Sequence, residues 1–200
     1  MIRRLFFLAL LILVAWQGYN AWNKRSLSHA PGVLVAEAPR QEETAAAAFQ
    51  KGDAVITPLA TFKIRARVLS RRDYHSEANG DLIPVDLALG WGPMSDSAVL
   101  DKIRISQRNR FYFWVVNEYP IPHRDIETHS ANMHLVPASE SIASSIKEAR
   151  RGQIINIDGY LVRIERSNGW NIQSSLTRDD TGEGACEVIW VKNFYIESAQ

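Results

Sequence analysis

"GQIINIDGYLVRIER", residues 152–166, carries two hydrophobic registers in one run: Ile155 and Ile157 share one parity, Tyr160, Val162 and Ile164 the other, and Gly159 sits between them. Successive side chains of an extended chain point to opposite faces, so a glycine at a change of parity predicts a bulge or a sharp barrel corner. A strand that bends there belongs to a small, closed or half-closed sheet rather than to a flat one.

The neighbouring segments agree. "TFKIRARVL", residues 61–69, alternates strictly, with Phe62, Ile64, Ala66 and Val68 on one face and Lys63, Arg65 and Arg67 on the other. That is the pattern of a half-buried strand, and Arg71 and Arg72 extend its basic face. "RFYFWVV", residues 110–116, is apolar on both faces, and "ACEVIWVKNFYIE", residues 185–197, reads as a central last strand. "NGW" at Asn168–Trp170 predicts a hairpin turn. One helix is expected over "SESIASSIKEARRG", residues 139–152, with Ser139 as N-cap, Ile142, Ile146 and Ala149 on one face and Gly152 as its stop; a shorter one is expected from Ser95 to Ile103. The expected fold is mainly β (α+β): a small OB-like or half-open β-barrel with one inserted helix, preceded by a single N-terminal transmembrane helix.

That helix is read from "MIRRLFFLALLILVAWQGYNAWNKR", which has no polar residue from Leu5 to Trp16 and continues to Trp22. Eighteen helical residues span about 27 Å, close to the roughly 30 Å hydrocarbon core. Trp16, Tyr19 and Trp22 lie where interfacial aromatics sit, and Lys24 and Arg25 reach headgroups. The competing reading, a cleaved signal peptide, lacks a cleavage site with small side chains close to the apolar run. The expected division is a cytoplasmic tail (1–4), a transmembrane signal anchor (5–22), a tether (23–54) and a globular domain (55–197) facing the periplasm from a bacterial inner membrane.

The 200 residues carry 23 basic and 22 acidic side chains, but the first 25 hold Arg3, Arg4, Lys24 and Arg25 and no acid. The remainder balances at −3, without the broad positive field on which non-specific phosphate-backbone binding relies, so nucleic acid is disfavoured as a partner. A single cysteine, Cys186, excludes any disulfide within the chain and reads as a small buried hydrophobe in a strand-like context.

Candidate sites are few. In "PIPHRDIETHSANMHLVP", residues 120–137, an extended run would set His123, Asp125, Glu127 and His129 on one side. His123, Glu127, His129, Asn132 and His134 are the candidate ligands for a divalent metal, against the plainer reading of a polar loop. Lys63, Arg65, Arg67 and Arg71 are the candidate anion-binding residues, and Trp91, between Gly90 and Gly92, either plugs the core or anchors a partner. Asp86, flanked by Val85 and Leu87, would need an arginine partner if buried. "TRDDTGEGACE", residues 177–187, gathers Asp179, Asp180 and Glu183 without the EF-hand spacing, and Ser174 and Ser175 lack the G-x-S-x-G elbow.

Residues 129–152, "HSANMHLVPASESIASSIKEARRG", resemble the metal-binding segment of the ββα-metal nucleases, which implies His129, Asn132 and His134 as ligands; a hairpin carrying that family's general base is missing. The phrases "LALGWGPMSD", "HSANMHLVPA" and "DDTGEGACE" together resemble a group of uncharacterised bacterial single-pass inner-membrane proteins, which implies location and domain extent but no activity. The expectation is a membrane-anchored, periplasm-facing, non-enzymatic interaction module. It would bind another envelope protein or an anionic ligand, without a cofactor, and contact the bilayer through residues 5–22. The alternative is a metal-dependent hydrolase or nuclease using His129, Asn132 and His134.

Overall fold

A computed structural model of the chain describes residues 25–74, 79–177 and 186–198, with Phe7, Leu10, Leu11, Leu13, Val14, Gln17 and Gly18 of the N-terminal segment. Phe7, Leu10, Leu11, Leu13 and Val14 are helical and exposed. Apart from Gln17 and Gly18, also helical and exposed, the rest of the expected anchor lies outside the described residues, as do Asp179, Asp180 and Glu183; among the described residues no helix is long and apolar enough to cross a membrane.

The architecture is mainly β, built on one long strand. The strands are β1 (Arg40–Glu43), β2 (Phe49–Lys51), β3 (Ala54–Asp73), β4 (Val85–Gly90), β5 (Ile103–Arg108), β6 (Phe111–Val116), β7 (Ser130–Pro137), β8 (Ile154–Arg166), β9 (Asn171–Gln173) and β10 (Glu187–Ile196). Helices α1 (Ser97–Leu100), α2 (His123–Thr128) and α3 (Glu140–Glu148) and a 3-10 turn at Gly92–Ser95 lie between them. Strand β3 pairs antiparallel with β8 along Ala54–Arg67 and with β4 along Arg67–Asp73. The order β3-β4-β7-β10-β8 returns to β3, so eight strands form one mixed sheet containing a ring of five. Within the ring only β7 and β10 run parallel.

Phe62, Ile64, Ala66 and Val68 of β3, Leu87 and Leu89 of β4, Met133 and Leu135 of β7, Ile155, Ile157 and Leu161 of β8, and Ile189 and Val191 of β10 form the main core. The expected change of parity at Gly159 takes a different form. Odd-numbered residues of β8 face the main core on both sides of Gly159, while Val162 and Ile164 join a second core with Ala54, Ile56, Val136 and Val188. The strand keeps its register and gains a second buried face. The irregularities lie on its neighbours, between Pro58 and Ala60 of β3 and between Val191 and Asn193 of β10. Gly159 remains obligatory, because a Cβ there would meet the Trp190 carbonyl oxygen at 1.9 Å.

The Ser139 hydroxyl caps α3 by accepting from Ile142 N–H, but the helix ends at Glu148, because Ala149 turns to extended backbone and Gln153 Oε1 accepts from Arg150 N–H. The hairpin turn at Asn168–Trp170 and the central placement of β10 are as expected.

Residues 23–54 were expected to form a tether, yet much of this stretch is docked. Leu27 N–H donates to Arg151 O, Gly92 N–H to Val35 O, and Val35 is fully buried. β1 then pairs with β3 at Ala60–Lys63, and β2 with β3 at Ala54–Ile56. Leu34 and Val35 of "GVLVAEA" cover the core edge, which makes the segment part of the domain rather than a solvated spacer.

Candidate functional site

The outer face of β4 and β7 is covered by a separate two-stranded sheet, the β5–β6 hairpin. Its inner side chains, Ile105, Tyr112, Trp114 and Val116, pack on a third core of Leu69, Ala88, Met94, Leu100, Ile103 and Ile126. The "RFYFWVV" run, apolar on both faces, therefore buries only one of them: its alternate residues Phe111, Phe113 and Val115 are exposed.

The hairpin turns through Asn109 and Arg110, with φ of 53° and 68°. Two consecutive left-handed residues are what a two-residue type I′ loop requires, and arginine occupies such backbone only when its surroundings hold it there. They do. Arg110 Nη1 donates to Asp86 Oδ1 at 2.9 Å and to Ile83 O at 3.0 Å. Its guanidinium lies 3.5 Å from the Tyr74 ring centroid, and its N–H donates to the Tyr74 hydroxyl. Asn132 Nδ2 donates to Arg110 O, and Gln107 Nε2 donates to Asn132 Oδ1, so β5, β6 and β7 are fastened through side-chain amides.

Asp86 is the centre of this clamp. It is 0% exposed, as its apolar flanks suggested, and its arginine partner is Arg110 rather than one from β3. His134, 3% exposed, sits directly across the sheet on β7 with Nδ1 2.9 Å from Asp86 Oδ1, close enough to pair charges although off the line of a hydrogen bond. Burial alone would discharge His134, but the Asp86 carboxylate, with help from Cys186, outweighs it and raises the imidazole to about 9. Burial, then the Asp86 charge, raises the Tyr74 hydroxyl. Asp86 Oδ2 makes no hydrogen bond, an orphan acceptor inside the clamp.

Thiol, imidazole and carboxylate thus lie in the order Cys186, His134, Asp86, the order a nucleophile, its base and an orienting acid would need. Substrate space is a separate requirement. Among the described residues, four recesses, of about 890, 340, 320 and 600 Å³, are lined by side chains other than these three.

The metal ligands expected from sequence are not brought together. Residues 123–128 are helical, with Pro122 in the N-cap position and Ile126 buried, so the alternating row of an extended chain is replaced by helical spacing. His123 Nδ1 approaches Glu127 Oε2 at 3.4 Å one turn away, and the His123 ring meets those of Trp114 and Tyr119 edge to face. His129 Nδ1 bonds back to Asp125 O, while Asn132 and His134 are engaged in the clamp. Among the described residues no three His, Cys, Asp or Glu side chains converge as a metal would require. His129, Asn132 and His134 therefore lack the shared geometry that the nuclease likeness implied.

Three of the β3 arginines are committed inside the domain, while Arg72 is exposed with its guanidinium 6.0 Å from the Tyr74 ring centroid. Arg65 makes a two-pronged contact with Glu197, Arg67 is buried and donates to Ser95 O and Ser97 Oγ, and Arg71 bonds Asp73, Ala149 O and Lys147 O. Lys63 stands 3.4 Å from Asp158. Trp91 is 2% exposed and plugs the main core, which leaves none of its surface for a partner.

The open chemistry lies on the hairpin's outer face. Phe111, Phe113 and Val115 face out, opposite Arg108, Ser106 and Arg104 respectively, all exposed. The Arg108 guanidinium stands 5.8 Å from the Phe113 ring centroid, and among the described residues neither Arg104 nor Arg108 has an acidic partner. Sequence reading missed this site because "RFYFWVV" reads as core; the available signal was the alternation of arginine and serine in "RISQR" just before it. No family model matches this chain, and neither does any curated protein or solved structure.

Proposed function

We propose that this chain is a membrane-held, non-enzymatic interaction module whose working surface is the outer face of the β5–β6 hairpin. The observation that carries this reading is the row of Phe111, Phe113 and Val115, exposed by 41, 43 and 51% and aligned on a rigid, clamped hairpin. An ordered apolar row left in water is the usual mark of an interaction site.

The ring is read as an OB-like barrel. Its strand order, the parallel β7–β10 pair and α3 between β7 and β8 support that reading. In such barrels the second and third strands form the ligand face, and here those strands, β4 and β7, lie under the hairpin. The binding role passes to the hairpin's other side. The apolar run from Leu5 to Trp16 supports the membrane anchor.

A photo-crosslinking residue at Ser106, in the full chain expressed in cells, tests the reading against the same residue at Ser144 on the exposed side of α3. A discrete adduct from position 106, weakened by Phe113→Ser, is expected. Equal, diffuse labelling from both positions would show that the hairpin is not the working surface.

A further inference from the structure

Resting on the membrane-held reading, we infer that the hairpin's outer face lies against an anionic lipid surface, that of the bilayer into which residues 5–22 insert. The argument begins with chain length. A 32-residue tether would let the domain roam, but residues 26–29 are already seated. Leu27 N–H and the His29 ring bond to Arg151 O and Gly152 O, and a Cβ on Gly152 would strike Leu27 O, so the chain is wedged in place. Between Trp22, where the apolar segment ends, and Ser26, the first residue of the docked stretch, four steps of chain reach about 14 Å at most.

That entry point is at the root of the hairpin. Ser26, Leu27 and His29 line one cavity of about 340 Å³ with Leu100 and with Ile105 of β5. A six-residue strand is about 20 Å long, so a hairpin rooted this close to the bilayer has its whole length within reach of headgroups.

The face also has the chemistry for it. Phenylalanine and valine enter the headgroup boundary while neighbouring arginines meet phosphate, the composition of interfacial protein segments. Arg104 and Arg108 flank the apolar row on the paired strand, and Lys102 stands just before it beside a recess of about 600 Å³ that includes Val115 and Tyr119. Asp101 and Glu118 also border that recess, at the root; the outward face from Arg104 to Phe113 carries no acid. A soluble protein partner would not require the anchor and the hairpin root to coincide, whereas a membrane surface does.

Hydrogen exchange on the unmodified full chain tests this, with the protein reconstituted in vesicles of phosphatidylcholine alone or of an equal mixture with phosphatidylglycerol. Exchange across residues 104–116 should slow several-fold in the mixed vesicles and recover at high salt. Each arginine should contribute about fivefold to surface partitioning, so the Arg104→Glu, Arg108→Glu pair should lose the protection while the protein stays inserted. Identical exchange in both vesicles would overturn the inference. If the Ser106 crosslink to a protein still forms, the interaction-module reading survives that result; if neither appears, both fall.

Discussion

Two rows of arginines in this molecule have nearly the same sequence signature and opposite fates. Lys63, Arg65 and Arg67 alternate with apolar residues on β3, as Arg104 and Arg108 alternate with Ile103, Ile105 and Gln107 on β5. On β3 the docked N-terminal segment, the turn at Ser95 and Glu197 close over Arg65 and Arg67, each of which ends in hydrogen bonds, while Lys63 at the end of the row stays exposed beside Asp158. On β5 nothing of the described chain lies above it. Alternation states that a strand has two faces; what covers the polar face is decided by segments far away in sequence.

The hairpin also has an arginine of the first kind, Arg110, and the largest expected effect tests how firmly it fastens the outward row. Asp86→Ala removes the buried carboxylate that pairs with both the part-buried Arg110 guanidinium and the buried His134 imidazole, and should cost about 3–5 kcal/mol in urea unfolding. A loss below 1 kcal/mol, by the same scale, would mean that packing alone holds the hairpin.

Next comes the pH response of the same clamp. His134 is raised from 6.5 to about 9 in the folded state, so its contribution is complete below the unfolded value and disappears as pH climbs from 6.5 to 9. Unfolding free energy should fall by on the order of 3 kcal/mol across that window, and the fall should vanish in His134→Gln. A flat profile in the unmodified protein would place the imidazole outside the charge network.

The direct contrast between the two rows comes last. Arg67→Ala strands buried acceptors at Ser95 and Ser97 and should cost about 1–3 kcal/mol, whereas Arg104→Ala should stay within about 0.5 kcal/mol. Parallel denaturation curves of the two variants check it. Equal losses would erase the distinction drawn between the rows.

Much of the fold was legible because short-range rules govern it. The strict alternation of residues 61–69, the Ser139 cap and the Asn168–Trp170 turn each depend on a few neighbours. The misreadings share a different cause. Residues 123–129 read as a polar loop, or as an extended row of ligands, until Ile126 finds a pocket in the third core, and "RFYFWVV" reads as apolar on both faces until its partner proves to be a lone strand. Asp86 was legible as a charge in need of a partner, but Arg110 is 24 residues away, and only the ring closure and the turn at Asn109 bring them together. Cys186 looked like a small hydrophobe because its sequence neighbours are those of a strand; His134 reaches it through the parallel β7–β10 pair.

That parallel pair has a consequence for biogenesis. β10 is the last of the described strands in sequence, yet it lies between β7 and β8 in space. Until residues 187–196 are available, those two strands face each other across a gap, each with an unsatisfied edge. A chain emerging from synthesis or export therefore stays an open sheet until its closing strand arrives. Premature truncation would release a sticky, strand-templating species rather than a slightly weakened domain.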